Sequence, residues 1–180
     1  IRETAPEKGN SNYADLKMTS EKIMQKEFKK SETIPVIARV APIYDAEYTQ
    51  NLRDRVFDAK ENVAYIFNDG EYGFSFCCVF NLSDFINGII NVPSGRYEGI
   101  YNLADSRLIT AKEIIDYEKE HHRIGAVIQK SPGMGLSINK GKMKTDYRYF
   151  DPSITFNNWN IDNTRAKRIA PFRWTLSNTK

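Results

Sequence analysis

Tyr13 and Lys17 stand four residues apart in the stretch NSNYADLKMTSEKIM. That spacing puts both side chains on one face if the segment is helical. A free phenol titrates near 10 and is a poor base at neutral pH. A cation one turn away favours the phenolate and turns such a tyrosine into a usable proton acceptor. The plain alternative is a packing tyrosine beside a solvated lysine, and the spacing alone does not decide between them. Other reactive residue types are placed less suggestively. Cys77 and Cys78 are adjacent, so they cannot staple distant segments, and no disulfide framework is expected. His121 and His122 are also adjacent, and no metal site is expected from them. GMG at 133–135 lacks the third glycine and the strand–turn–helix frame of a phosphate-binding loop. Lys140, Lys142 and Lys144 near Tyr147 and Tyr149 read as a solvated loop rather than a nucleic-acid stripe.

Elements must hold these residues in place. Residues 1–12 are polar and loop-like, with Pro6 and Gly9 as breakers. A helix is expected over 13–30, capped by Ser11 or Asn12, with Leu16, Ile23, Met24 and Phe28 as its apolar stripe. TIPVIARV follows as a buried parallel strand, and APIYDAEYTQ as the loop leaving its C-terminal end, the edge at which open α/β sheets place ligands. A short helix over 52–57, a strand VAYIF and the turn NDG come next. FSFCCVF reads as one strand, and NLSDFINGIINV as a helix starting near Asn81 or Ser83. GIYNLA and GAVIQK read as strands around a helix whose Thr110 and Glu113 form a capping box. Residues 131–158 look mostly irregular, and NTRAKRI reads as a short helix with Asn163 as its cap. The order is α/β with mixed sheets. PVIARV, as a parallel strand, needs neighbours on both sides, and few such strands are available in these 180 residues.

These segments together resemble the extended short-chain dehydrogenases/reductases, the NAD-dependent epimerase/dehydratase group. ETAPEKGNSNYADLKMTSEKIM resembles the lead-in and the Tyr-x-x-x-Lys helix, and PVIARVAPIYD the strand and loop after it. NLRDRVF resembles the start of a substrate-domain helix, and YIFNDGEYGFSFCCVFNLSDFINGII the Gly-Asp-Gly strand pair with its following helix. GIYNLADSRLITAKEIID and WNIDNTRAKRIAPFRWTL resemble the later strand, the Thr-capped helix and the C-terminal segment. The resemblance covers nearly the whole chain, with six features in the family's order.

It implies the C-terminal part of a Rossmann-type doubly wound parallel sheet plus a smaller mixed α/β substrate-binding domain. Residues 1–45 would end the dinucleotide-binding domain, and 46–180 would be mainly substrate domain, with some segments returning to the Rossmann sheet. Tyr13 would be the general acid/base and Lys17 its tuner and cofactor anchor. Val40 and Ala41 would lie against the nicotinamide of NAD or NADP. Pro42, Tyr44, Asn51, Leu52, Arg53 and Phe74 would face a sugar or nucleotide-sugar substrate. The family's third catalytic member, a Ser or Thr, and its Gly-rich turn match no position here, so the chain is expected to be part of a longer protein. Departures are Pro42 for the family's loop asparagine, Asp45 for its glycine, Asn81 for an aspartate, and Phe74 for a phosphate-binding arginine. Phenylalanine cannot make that arginine's bidentate contact, though Arg53 or Arg55 stands nearby in sequence to replace it. Within the resemblance, a 4-keto-sugar reductase using NADPH is the neighbouring alternative. A non-catalytic cofactor-binding or interaction protein with the same fold is the alternative from another class. A homodimer through the Tyr-x-x-x-Lys helix is the partner state that the family implies.

The totals are those of a soluble globular protein. Twenty-six basic residues are balanced by 23 acidic ones, for a net charge of +3, which gives no nucleic-acid signal. No apolar run approaches the roughly 18 residues of a membrane span. With no secretory pattern, a reducing cytoplasm is the expected compartment.

Overall fold

The computed structural model describes residues 1–5, 11–29, 31–58, 62–92, 97–130 and 160–179. The expectations for Pro6, Gly9, GMG, the lysine stripe with Tyr147 and Tyr149, and all of 131–158 fall outside them.

Helix α1 spans Asn12–Phe28. Ser11 caps it by accepting a hydrogen bond from the Ala14 amide at 3.2 Å, with Asp15 in the first turn and Lys26 in the last, the charge placement that a helix dipole favours. Its expected apolar stripe does not face the body. Leu16, Ile23 and Met24 are exposed, whereas Ala14, Met18, Glu21, Gln25 and Phe28 are half-buried, and no residue of α1 is fully buried. The inward face recurs at i, i+4 and i+7 around Glu21, and an ion pair to the sheet holds it there.

Strand β1 (Val36–Val40) pairs in parallel with β7 (Gly99–Leu103), with Val36 opposite Gly99 and Val40 opposite Leu103. The parallel reading of this strand is correct, but full burial is not: Ala38 and Val40 are exposed, because among the described residues β1 is paired along one edge. Gly99 has φ +121, and a Cβ there would stand 2.7 Å from Arg165. The Arg165 guanidinium fills that space, donating to the carbonyls of Glu98 and Ile100 and lying over the Tyr101 ring.

Past β1 the chain makes β2 (Ile43–Tyr44), which pairs in parallel with β6 (Cys77–Cys78). The helix expected over 52–57 sits earlier, as α2 (Gln50–Arg53), and Phe57–Asp58 instead forms β3, antiparallel to β4 (Val63–Phe67). β4 in turn runs parallel to β9 (Ala126–Lys130). The NDG turn is as read, with Asn68 and Gly70 both at positive φ.

FSFCCVF is not one strand. It divides into part of β5 (Gly73–Phe74), which pairs with β8 (Ile109–Thr110), and β6, after which helix α3 (Val79–Ile90) begins at once. The early start follows from Cys78, an extended cap residue whose amide is taken by Asp105. Helix α4 (Ala111–Glu120) carries the expected capping box, and its Ile114, Ile115 and Glu118 are buried. The C-terminal helix is only a 3-10 turn at Ala166–Arg168. Asn163 does not cap it with its side chain, because that amide donates to the carbonyls of Ala104 and Asp105.

Two apolar clusters result. One joins Ala41, Cys77, Phe85, Tyr101, Leu103 and Phe172 under the β1–β7 pair. The other joins Tyr44, Leu52, Phe74, Phe76, Ile109 and Ile114 between α2, α4 and the short strands. No described helix is long and apolar enough to cross a membrane.

The Thr110 cap is a clean test of this packing. Thr110→Ala should cost about 1 kcal/mol of stability, read by urea denaturation with circular dichroism. An unchanged midpoint would mean that α4 is held by burial alone.

Candidate active site

Tyr13 lies in the first turn of α1 and is 70% exposed, with Lys17 exposed one turn on. The Lys17 Nζ stands 5.6 Å from the centre of the Tyr13 ring. The one-face geometry read from the spacing is therefore present, with a cation beside the phenol. The side chain four residues further, Glu21, turns to the sheet. Both its oxygens are taken by Arg39 of β1, at 2.6 and 3.0 Å. Arg39 also donates to the Glu3 carbonyl, and the Glu3 carboxylate accepts from the Asn102 amide on β7. A chain of polar contacts thus runs from β7 through the lead-in and β1 to the helix of Tyr13.

The β1–β2 connection brings the next candidates together. Val40, at the end of β1, is 37% exposed, and Ala41 is buried with its amide bonded to the Leu103 carbonyl. Pro42 is half-buried and accepts from the Cys77 amide. Asn51 donates to the Ile43 carbonyl at 2.6 Å, fastening the start of α2 to the same loop. Tyr44, Leu52 and Phe74 lie deeper, inside the second apolar cluster.

Arg53 is committed elsewhere. It lies over Phe57 and approaches the fully buried Glu118 of α4 at 3.5 Å, with Arg123 at the same distance on the other side. A buried carboxylate between two guanidiniums holds α2 to α4. Arg55 has its guanidinium 5.9 Å from the centres of both the Phe74 and Phe76 rings.

Sequence reading missed the hub of this region, Asp105. Its carboxylate accepts from the Tyr44 hydroxyl at 2.6 Å, the Cys78 amide at 2.8 Å and the Asn81 side chain at 2.8 Å. Asn81 also exchanges bonds with the Trp174 backbone, so the same network reaches the C-terminal segment. The one available signal was a lone acidic residue directly after the apolar strand GIYNLA. Burial raises the Asp105 carboxyl above its ordinary range, against the pull of its three donors. The Tyr44 phenol and the Cys77 thiol are raised as well, by burial first and then by the Asp105 charge. Neither cysteine is a ready nucleophile in this setting. No group of three or more metal-ligating side chains is found among the described residues.

No protein-family model and no curated protein matches the chain. Solved structures do. UDP-glucuronic acid 4-epimerase from Bacillus cereus, in complex with NAD, aligns with a TM-score of 0.66 at 15% identity, covering 99% of this chain and 53% of its own. UDP-glucose 4-epimerase from Thermotoga maritima, with UDP-glucose, aligns at 0.63 and 16%, covering 99% and 54%. dTDP-glucose 4,6-dehydratase from Bacillus anthracis, in complex with NAD, aligns at 0.60 and 16%, covering 98% and 52%. These neighbours are extended short-chain dehydrogenases/reductases. At such identity the likeness is one of fold: the parallel strand pairs are those of their Rossmann-type α/β architecture. The chain spans about half the length of these structures.

The raised carboxyl makes a pH prediction. Folded Asp105 holds its proton to higher pH than the unfolded chain does, so its contribution to stability is full below the ordinary aspartate value near 4 and declines as pH rises through the folded value. Asp105→Asn removes that decline. Urea denaturation across pH should show the variant gaining on the wild type from about pH 4 upward, and a difference independent of pH would contradict the assignment.

Proposed function

We propose that this chain contributes the proton-transfer residues of an NAD(P)-dependent epimerase, dehydratase or reductase that acts on a sugar, most naturally a nucleotide-linked one. The observation that carries the reading is the Lys17 ammonium seated over the Tyr13 ring on an exposed helical face, in a fold shared with enzymes solved with NAD and UDP-sugars.

The residues present fit the cofactor. Tyr13 and Lys17 are accessible, and Val40 is open beyond the end of a parallel strand, the edge at which α/β sheets receive ligands. Lys17 and Tyr13 would hold the nicotinamide ribose, with Val40 and Ala41 as the wall behind it. When bound, the nicotinamide supplies a site that takes up and returns a hydride.

What this chain does is move the proton. The Tyr13 oxygen accepts the proton of the sugar hydroxyl as that carbon becomes a carbonyl, and it returns the proton when the carbonyl is reduced. Lys17 holds its ammonium beside the Tyr13 ring, whose oxygen carries the proton. Pro42 and Asn51 shape the loop at the substrate's edge. Tyr44, Leu52 and Phe74 form the packed floor beneath it. Arg55 lies beside the Phe74 ring, where the resemblance would place a phosphate-binding arginine, and it supports a diphosphate-linked substrate.

Tyr13→Phe in the full-length protein is the test. Turnover of a UDP- or dTDP-hexose should fall by about 100-fold or more, while NAD binding, read by fluorescence quenching, persists with Lys17 still in place. Surviving turnover would remove Tyr13 from the acid/base role.

A further inference from the structure

We propose that Arg39 is a positioning residue for Lys17: by occupying Glu21, it keeps that carboxylate from drawing the Lys17 ammonium away from Tyr13. The inference rests on the proton-transfer role given to Tyr13 and Lys17 above.

Tyr13, Lys17 and Glu21 follow one another at four-residue steps on α1. Side chains at that spacing are neighbours on a helix surface, and a lysine and a glutamate so placed attract each other. Lys17 therefore has two partners within reach, the ring behind it and the carboxylate ahead. In the structure it lies over the ring. Glu21 is withdrawn, its side chain only 12% exposed, because the Arg39 guanidinium meets both oxygens from β1 and Gln25 donates to one of them. A bidentate guanidinium–carboxylate pair is stronger and more directional than a solvated lysine–glutamate contact, so the competition resolves toward Arg39. Arg39 is itself fixed by its bond to the Glu3 carbonyl.

Removing Arg39 leaves Glu21 a free anion one turn from Lys17. The ammonium then divides its time between Glu21 and Tyr13, and it is less often beside the proton-transfer oxygen. The loss is curable: once Glu21 is also made neutral, nothing competes for Lys17, although the tie between α1 and β1 is still broken. A purely structural ion pair predicts the opposite, since a broken tie cannot be mended by removing its second half.

The experiment compares Arg39→Met, Glu21→Gln and the double variant in the full-length protein, with kcat and KM for a nucleotide sugar and thermal melting for each. Arg39→Met should lower kcat on the order of tenfold, a fraction of what positioned proton transfer contributes, with KM little changed. Glu21→Gln should keep wild-type kcat, and the double variant should recover it. Unchanged kcat in Arg39→Met overturns the inference. So does a double variant as slow as Arg39→Met, or Glu21→Gln as slow as either. If Tyr13→Phe alone proves active, it is the proton-transfer role that fails, and the two failures are thereby told apart.

Discussion

A single buried carboxylate holds this chain's functional region together. Asp105 follows the end of β7 and receives donors from Tyr44, Cys78 and Asn81, which belong to β2, β6 and α3. Charged groups are seldom buried, because water solvates them better than any apolar interior. Asp105 is tolerated because three donors and the N-terminal end of α3 converge on it. The consequence is positional. The segment from Val40 to Tyr44, where the proposed cofactor and substrate faces meet, is fixed at one end by the β1–β7 ladder and at the other by the Tyr44–Asp105 bond. Asn51 then fastens α2 to the same loop. A rigid loop at the C-terminal edge of a parallel pair is what a site requiring ångström-scale placement needs.

α1 is held by different means. None of its residues is fully buried: Met18 and Phe28 are half-buried against the body, and the Glu21–Arg39 pair adds a polar tie to β1. Tyr13 and Lys17 stay exposed beside that tie, as the proposed proton transfer requires.

Much of this was legible in the sequence where local rules decide. The α4 capping box, the Ser11 cap, the NDG turn, the parallel β1 and the strands VAYIF and GIYNL each follow from residue types a few positions apart. The misreadings arise where a distant group decides. FSFCCVF looks like one continuous strand, but Asp105 takes the Cys78 amide and starts α3 there. Leu16, Ile23 and Met24 look like a core stripe, but α1 turns Met18, Glu21 and Phe28 inward instead, with Glu21 paired to Arg39. Asn163 looks like a cap, yet its amide goes to the carbonyls of Ala104 and Asp105. The Tyr13–Lys17 pair was readable from spacing, whereas Asp105 and the Glu118 ion triad were not. A buried charge is recognised by its partners, and those partners are remote in sequence.

The proposed chemistry requires that a sugar be oxidised while the proton leaves through Tyr13. The most direct measurement is rapid mixing of the NAD-loaded full-length protein with UDP- and dTDP-hexoses, following reduced-nicotinamide absorbance. A nucleotide-hexose should produce a transient rise in that absorbance, and the rise should be absent with Tyr13→Phe. If no nucleotide-hexose reduces the nicotinamide in the wild-type protein although NAD is bound, the chain belongs to a protein that keeps this fold for another purpose.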